Sequence, residues 1–261
     1  MKRVCCSFIL LTFLLTACTT DLKMQKRLAE DKRNIAGAYI GQKNYTEALR
    51  ELLEAEKLYS DDPFLQNDLG FVYMEKEKPD LAIQHFKRAL ALKSDYSPAK
   101  NNLGVAYIKN EQWDEAIACF KELSENLLYT TPQNPLVNMG LAYYHKKDFA
   151  QSEKYYKKAL GLYDDGLNKD MAYINALHGL GLNCMATGRS REAVVLLEKA
   201  VQFAPRIAEL FFDLGRAYTM VQEYPKALKA YNKVIELIPD QSLAREAAKA
   251  TEEIKRTYNL R

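Results

Sequence analysis

The length, composition and charge of the chain indicate a globular protein and argue against a disordered chain and a nucleic-acid-binding protein. It has 261 residues, of which 48% are hydrophobic and 27% charged, so it is long enough for a sizeable core and is not a disordered chain. Lys and Arg number 37 against 34 Asp and Glu, and this near balance leaves no basic excess for binding nucleic acid.

The first predicted element is a signal peptide at residues 1–17. A short basic region precedes an apolar stretch, residues 4–17, that is too short to span a bilayer comfortably but has the length of a signal-peptide core. It ends in Leu15-Thr16-Ala17-Cys18, which resembles the bacterial lipobox. We therefore expect Cys18 to carry a covalent diacylglycerol and an N-acyl chain such as palmitate. The alternative is an ordinary signal peptide with an incidental cysteine.

The residue after the lipobox cysteine indicates a location for the lipoprotein. In lipoproteins of this kind an Asp at that position favours retention at the inner membrane, whereas here it is Thr19. The resemblance thus implies a lipid anchor in the outer membrane of a Gram-negative bacterium, with the protein facing the periplasm. Burial of acyl chains at about 0.8 kcal/mol per methylene makes such an anchor stable. Residues 18–28 are predicted to be a lipidated tether.

From residue 29 onward the sequence repeats itself, and this repeat predicts the fold. The motif Leu-Gly-x-x-Tyr, as in Leu69-Gly70-Phe71-Val72-Tyr73, is followed by a small residue at Ala82 and a large apolar one at Phe86. This pattern resembles the tetratricopeptide repeat, whose unit is two antiparallel helices packed closely through small residues. The predicted repeats are 29–62, 63–96, 97–130, 133–166, 174–207 and 208–241, and residues 242–261 are predicted to form a capping helix.

The expected fold is an all-α tetratricopeptide-repeat α-solenoid, a right-handed superhelix of six helix-turn-helix repeats with a C-terminal capping helix. Two insertions interrupt the repeats, at 131–132 and at 167–173. Pro132 and Pro135 are predicted to end one helix and begin the next, since proline suits a first helical turn. The first interruption is therefore interpreted as a local change of superhelical turn and not as a domain boundary.

A search for catalytic or metal-binding patterns predicts that the chain is not an enzyme. His85, His145 and His178 fall in separate repeats, and no carboxylate or cysteine cluster is expected beside them. No phosphate-binding loop, paired-cysteine metal motif or nucleophile elbow occurs in the sequence. We expect no cofactor apart from the lipid, no metal and no small-molecule substrate. Cys119 and Cys184 are interpreted as small core residues and not as a disulfide.

The concave groove of the repeat family is the predicted binding site. Asn67 and Asn101 occupy the same groove position in consecutive repeats, and their amides suit the backbone of an extended or helical segment. That they are merely solvated groove residues is the alternative. The apolar groove residues expected to take the side chains of a bound peptide are Phe64, Phe71, Met74, Val105, Ile108, Leu141 and Tyr144.

A lipobox followed by six repeats resembles the type IV pilus pilotins of the PilF/PilW type, lipoproteins that assist secretin assembly. In that family a leucine-tyrosine connector after the third repeat leads to an Asn-x-Gly-Leu helix start, and Leu128-Tyr129 and Asn138-Met139-Gly140-Leu141 occupy those places. The resemblance implies an outer-membrane lipoprotein that binds secretin subunits through its groove. It implies further that the protein promotes their localisation and assembly for type IV pilus biogenesis.

Two other functions compete with this hypothesis. One is a general periplasmic adaptor or scaffold lipoprotein for envelope proteases or for the cell-wall synthesis machinery. The other is an enzyme activator, or an enzyme with an unrecognised site, for which the sequence offers no residue cluster.

Overall fold

The computed structural model describes residues 2–163 and 169–258, and for residues 2–20 the backbone alone. The described residues form thirteen α-helices joined by short turns, with no β-strand among them. This all-α arrangement of consecutive helical hairpins is the fold that the sequence predicts. The helices are α1 (Lys2–Gly41), α2 (Tyr45–Leu58), α3 (Pro63–Glu75), α4 (Pro79–Leu92), α5 (Ser97–Lys109), α6 (Trp113–Glu125), α7 (Gln133–His145), α8 (Phe149–Leu160), α9 (Met171–Ala186), α10 (Ser190–Phe203), α11 (Ala208–Met220), α12 (Tyr224–Leu237) and α13 (Ser242–Tyr258).

The chain divides into two compact units, and the division between Cys119 and Phe120 falls inside α6. It does not fall at the 131–132 insertion. In the first unit, α1, α2 and α3 enclose a core of alanines and leucines, among them Ala36, Leu52 and Leu69, each of them fully buried. In the second unit, helices α9 to α13 share the larger of two apolar clusters.

In four of the hairpins, close approach of the two helices depends on a glycine opposite a large side chain, at Gly70, Gly140, Gly181 and Gly215. A Cβ added to Gly70 would lie 2.6 Å from the ring of Phe86, and one added to Gly140 would lie 2.7 Å from the ring of Tyr156. Distances this short are not possible between real atoms, so only glycine fits at these positions. This confirms the sequence-based prediction that the small residues allow the two helices of a repeat to approach closely.

The turn inside each hairpin contains one residue in the left-handed region of backbone conformation. Its φ is +57° at Lys43, Glu77 and Glu111, +61° at Lys147, +64° at Gln222 and +77° at Gly188. A left-handed residue breaks the α-helical hydrogen bonding and reverses the chain, which lets the second helix fold back on the first. Among these six turns only the one at Gly188 uses glycine.

The first and last helices extend beyond the hairpins. α1 continues through the predicted boundary between residues 28 and 29 without a break, so the segment predicted as a tether is helical. At the other end α13 packs on α12, with Ala247 and Ile254 buried and Leu243 and Ala250 partly buried. This is the apolar face that the sequence predicts for a capping helix.

The connector between α6 and α7 is an ordered turn. The Asn126 side-chain oxygen accepts a hydrogen bond from the Leu128 N–H at 3.0 Å, and the Asn126 carbonyl accepts one from the Tyr129 N–H at 3.0 Å. Leu128 is 89% exposed. Pro132 caps α7 and Pro135 lies in its first turn, as the sequence predicts. Of the second insertion, at 167–173, residues 167 and 168 lie outside the described residues.

Candidate protein-binding groove

The predicted groove residues of the first unit lie on α3 and α5, which contact each other. Their side chains differ in how far they reach solvent. Phe64 is 39% exposed, whereas Met74 is only 6% exposed and belongs to the interior. The half-buried groove residues of this unit are Phe71, Asn101, Val105 and Ile108. The accessible groove in the first unit is therefore apolar, with one amide among its side chains.

The two groove asparagines have different environments. Asn67 is 8% exposed, and its side-chain oxygen accepts a hydrogen bond from the Asn102 Nδ2 at 3.0 Å. The side-chain oxygen of Asn101 is buried, and no described group donates to it. A buried acceptor without a donor is costly, so the Asn101 amide, once rotated toward the groove, is the better placed of the two to accept a hydrogen bond from a ligand.

An aromatic pair and two cations border the groove. The rings of Phe64 and Tyr96 meet edge to face, with centroids 5.2 Å apart. The Arg33 guanidinium and the Lys93 ammonium each lie 5.3 Å from the centroid of the Phe64 ring. These cation–π contacts connect α1, α3 and the end of the second hairpin through one side chain.

A desolvated carboxylate lies beside this aromatic pair. Burial raises the pKa of Asp68 to about 6, and the nearby carboxylate of Asp62 adds to the increase. The Arg33 guanidinium and a hydrogen bond from Asn67 lower this pKa but do not cancel the effect of burial. Arg33 approaches Asp62 instead, with its Nε 3.6 Å from the Asp62 Oδ2. Asp68 therefore remains a poorly compensated carboxylate on α3.

The remaining predicted groove residues, Leu141 and Tyr144, belong to the second unit. Both lie on α7 and are half-buried. The Tyr144 ring meets the ring of Phe149 edge to face, with centroids 5.7 Å apart. The Tyr144 ring also meets the ring of His145 edge to face, with centroids 5.8 Å apart, so two aromatic contacts hold Tyr144 in place.

Among the described residues, His178 lies beside a single carboxylate, a pairing that the sequence did not place. Its Nε2 lies 2.8 Å from the Oδ2 of Asp213, and Asp213 also pairs with Arg216 at 2.8 Å. This contact and the one between Asn67 and Asn102 each join residues 35 positions apart. That separation is one repeat length plus one residue. Each contact therefore joins a position on the first helix of one repeat to the next position on the first helix of the following repeat. The repeat period in the sequence places such positions near each other but does not show which side chains pair there.

A second histidine belongs to a buried polar cluster that the sequence did not indicate. The Nδ1 of His85 lies 2.7 Å from the Oε1 of Gln66, a fully buried side chain whose amide nitrogen donates to Glu56 at 3.0 Å. The His85 ring stacks on Tyr73, with centroids 5.2 Å apart. Burial lowers the pKa of His85, which favours its neutral form. The cluster links α2, α3 and α4.

Other features of the described chain bear on the remaining predictions. No group of three or more His, Cys, Asp or Glu residues that could hold a metal occurs within residues 2–163 and 169–258. Within the same ranges, no helix has both the length and the apolar character to cross a membrane. Cys184 is buried and Cys119 half-buried, and both are thiols. The side chain of Cys18 lies outside the described residues.

Three family models, each described as tetratricopeptide repeat, match the chain. They cover residues 73–142, 133–206 and 208–241. The last of these ranges coincides with the sixth repeat predicted from the sequence. Together with the hairpin geometry, these matches define the fold of the chain as an all-α tetratricopeptide-repeat solenoid.

Solved structures with the same fold include two that match this chain over nearly their whole length. The structure of PilW, described as a widely conserved type IV pilus biogenesis factor, is 18% identical, with a TM-score of 0.73 over 84% of this chain and 98% of that chain. The structure of Pseudomonas aeruginosa pilF is 18% identical, with a TM-score of 0.67 over 87% of this chain and 99% of that chain. At this identity the likeness concerns the fold alone.

Curated relatives match shorter stretches. Anaphase-promoting complex subunit 3 of Schizosaccharomyces pombe is 29% identical over 90 residues, which are 34% of this chain and 14% of that protein. Subunit CDC16 of the same complex in Saccharomyces cerevisiae is 27% identical over 131 residues, which are 49% of this chain and 16% of that protein. This chain therefore spans only a small part of the length of either relative.

Proposed function

We propose that this chain, which is a tetratricopeptide-repeat protein, is a lipid-anchored scaffold for type IV pilus biogenesis. In this proposal it hangs from the outer membrane by a lipid on Cys18 and faces the periplasm. Its groove binds a secretin subunit and promotes the localisation and assembly of that subunit. The chain acts by binding alone, without catalysis, metal or small-molecule substrate.

The observation that carries the proposal is the match in extent with PilW. This chain spans 98% of PilW, which is described as a type IV pilus biogenesis factor, and 99% of pilF. Agreement over nearly the whole of PilW, at a TM-score of 0.73, is what a shared number of repeats produces. The Leu15-Thr16-Ala17-Cys18 sequence adds an independent indication of a lipoprotein.

The groove geometry supports the binding of a protein segment. Phe64, Val105 and Ile108 present apolar side chains that are exposed or half-buried, beside the unsatisfied side-chain oxygen of Asn101. A bound segment would insert apolar side chains between these residues and donate a backbone N–H to Asn101. This arrangement suits an extended or helical peptide and explains why the Asn101 acceptor has no partner within the chain.

The lipid anchor would give the groove its effect on assembly. Acyl chains on Cys18 would hold the protein at the membrane, because a second acyl chain makes membrane attachment stable. A subunit bound in the groove would then be concentrated at the membrane where rings form, and this needs no further contact with the subunit. Binding and tethering together are sufficient for the proposed role.

The experiment that tests the proposal is deletion of the gene, followed by an unheated gel for secretin multimers. We expect the deletion strain to lose multimers, and the wild-type gene to restore them. A Cys18→Ser variant should fail to incorporate labelled palmitate and should restore multimers poorly, because the tether is lost. Normal multimers in the deletion strain would contradict the proposal and would favour a general periplasmic adaptor.

A further inference from the structure

The second compact unit carries a separate apolar cleft. About 1130 Å³ of space lies between α10 and α12, and α11 forms its floor. Each of the two outer helices packs against α11. In the repeat family the groove side chains come from positions 2, 5, 9, 12 and 13 of each repeat, whereas Phe211, Leu214 and Tyr218 are at positions 4, 7 and 11 of the repeat 208–241. The cleft is therefore a different surface from the groove described above.

The cleft is lined by apolar side chains that the fold leaves incompletely covered. Val201 of α10, Phe211 of α11 and Leu228 of α12 are only partly buried, although they pack against the core of this unit. Side chains that close a core are normally covered more fully than this. Three of them in one cleft form an apolar surface that a partner can still bury.

A row of lysines borders the cleft along α12. Lys226, Lys229 and Lys233 are spaced by three and four residues, so they lie along one edge of the helix. Lys226 pairs with Glu223, the N-cap of α12, at 2.6 Å, and Lys233 pairs with Glu236 of the same helix at 2.7 Å. Both ion pairs are accessible to solvent. Such exposed pairs contribute little and exchange readily for another carboxylate. These lysines are therefore available to a partner.

Neighbouring carboxylates compensate this basic edge only in part, because Lys226 and Lys233 have ion pairs and Lys229 has none with any residue that the structure describes. On the opposite wall the carboxylate of Glu198 accepts a hydrogen bond from the hydroxyl of Tyr218 and so is already engaged. The cleft thus combines an apolar floor with one positive edge.

We propose that this cleft docks an amphipathic helix of a protein partner, with leucine-sized side chains on its apolar face and carboxylates along one flank. A helix is about 10 Å wide, and its side chains at i, i+3, i+4 and i+7 can enter a groove of this kind. Carboxylates at the same spacing would lie beside the lysine row of α12. The chain would then hold a second partner while its concave groove is occupied, as a scaffold does.

The test uses the purified full-length protein and a synthetic leucine-glutamate amphipathic helix with a fluorescent label. A control helix carries lysines in place of the glutamates. Fluorescence anisotropy should show the acidic helix binding at least about tenfold more tightly than the basic control, by the complementarity of charge. Binding of the acidic helix should weaken as salt is added. Equal affinity for the two helices would overturn the proposal.

Two variants locate the binding site. Lys229→Glu reverses the central charge of the row and should weaken binding of the acidic helix about tenfold. Lys249→Glu, an exposed lysine of α13 outside the cleft, is the matched control and should leave the affinity unchanged. In methyl NMR spectra the peptide should shift Val201 and Leu228. The proposal fails if both variants lose affinity for the acidic helix equally. It also fails if Lys229→Glu leaves peptide binding unchanged and instead abolishes self-association of the protein or its binding to anionic vesicles.

Discussion

At the scale of single residues, the fit between neighbouring repeats depends most clearly on Tyr156. Its ring is 2% exposed and lies against Gly140 of its own hairpin and Gly179 of the next. A Cβ on Gly179 would lie 2.2 Å from the Cζ of Tyr156, closer than the 2.7 Å at which a Cβ on Gly140 would approach the same ring. Tyr156 has little room to move away, because it is almost fully buried in a closely packed interior. One side chain therefore fixes the separation of α7, α8 and α9.

We expect Gly179→Ala to lower the free energy of unfolding by about 1–3 kcal/mol, since it overpacks a filled site. Gly37→Ala is the matched control, because no atom lies within 4 Å of a Cβ placed there. In the interior of α1 the alanine should raise the free energy of unfolding by roughly 0.5–1 kcal/mol. Urea unfolding of the two variants checks both signs. A Gly179→Ala protein as stable as the wild type would contradict the packing described for Tyr156.

At the scale of helices, Asp68 shows how charge links adjacent hairpins. It lies on α3, with Arg33 of α1 and Tyr96 before α5 as its charged and aromatic neighbours. Burial holds the pKa of Asp68 at about 6, above the ordinary value of 3.8. The folded chain therefore binds a proton more readily than the unfolded chain. This contribution to stability is fully present below pH 3.8 and is lost as the pH rises through about 6.

We expect Asp68→Asn to raise the free energy of unfolding at pH 7 by about 1–3 kcal/mol, because the amide avoids the cost of a buried charge. The variant keeps an oxygen that can accept the hydrogen bond from Asn67. It should also remove part of the loss of stability between about pH 4 and pH 6. Thermal or urea unfolding across this pH range measures both effects. Asp95→Asn, a change at an exposed carboxylate, is the control.

If Asp68→Asn were less stable than the wild type at pH 7, the electrostatic attraction between Asp68 and Arg33 would outweigh the cost of burial. The direction of the effect thus decides between desolvation and attraction at this site. An unchanged pH dependence would show that Asp68 has an ordinary pKa in the folded protein.

The elements that the sequence could predict are those determined by local pattern. Small and large residues at fixed spacing, as at Gly70 and Phe86, are sufficient for a hairpin because the two helices of a repeat touch at those positions. Prolines at helix starts and the apolar face of α13 follow from equally local rules. These predictions are confirmed because they need only one helix and its immediate neighbour.

The features that the sequence did not indicate depend on contacts between repeats. His178 meets Asp213, and Asn67 meets Asn102, only because consecutive first helices pack at a particular offset. Buried Gln66 has three partners from separate segments, at Glu56, Ser60 and His85. Side-chain pairing of this kind is decided after the helices have packed.

The candidate groove was predictable in part for the same reason. The repeat pattern assigned groove positions to both asparagines, but only the packed structure distinguishes the satisfied oxygen of Asn67 from the unsatisfied oxygen of Asn101. Likewise the pattern could not show that Met74 is 6% exposed while Phe64 is 39% exposed. The binding role of the groove residues stays a prediction.

At the scale of the whole molecule, the proposed function requires only that the chain hold other proteins. The two compact units provide different surfaces, an apolar groove with Asn101 in the first and a lysine-bordered cleft in the second. Neither surface needs a reactive group, because a scaffold acts by raising the local concentration of what it binds. A lipid on Cys18 would in addition attach the chain to the membrane.

The most direct test of the central claim is the amount of secretin multimer on an unheated gel from cells that carry groove variants. Ile108→Glu places a charge on the half-buried groove face of α5, and Ile117→Glu places the same charge on a half-buried position of α6 that is not predicted to line the groove. We expect Ile108→Glu to abolish multimers, because a buried carboxylate opposes the binding of an apolar ligand. We expect cells with Ile117→Glu, at an equal protein level, to retain multimers. Normal multimers with Ile108→Glu, or equal loss with both variants, would contradict the proposed function.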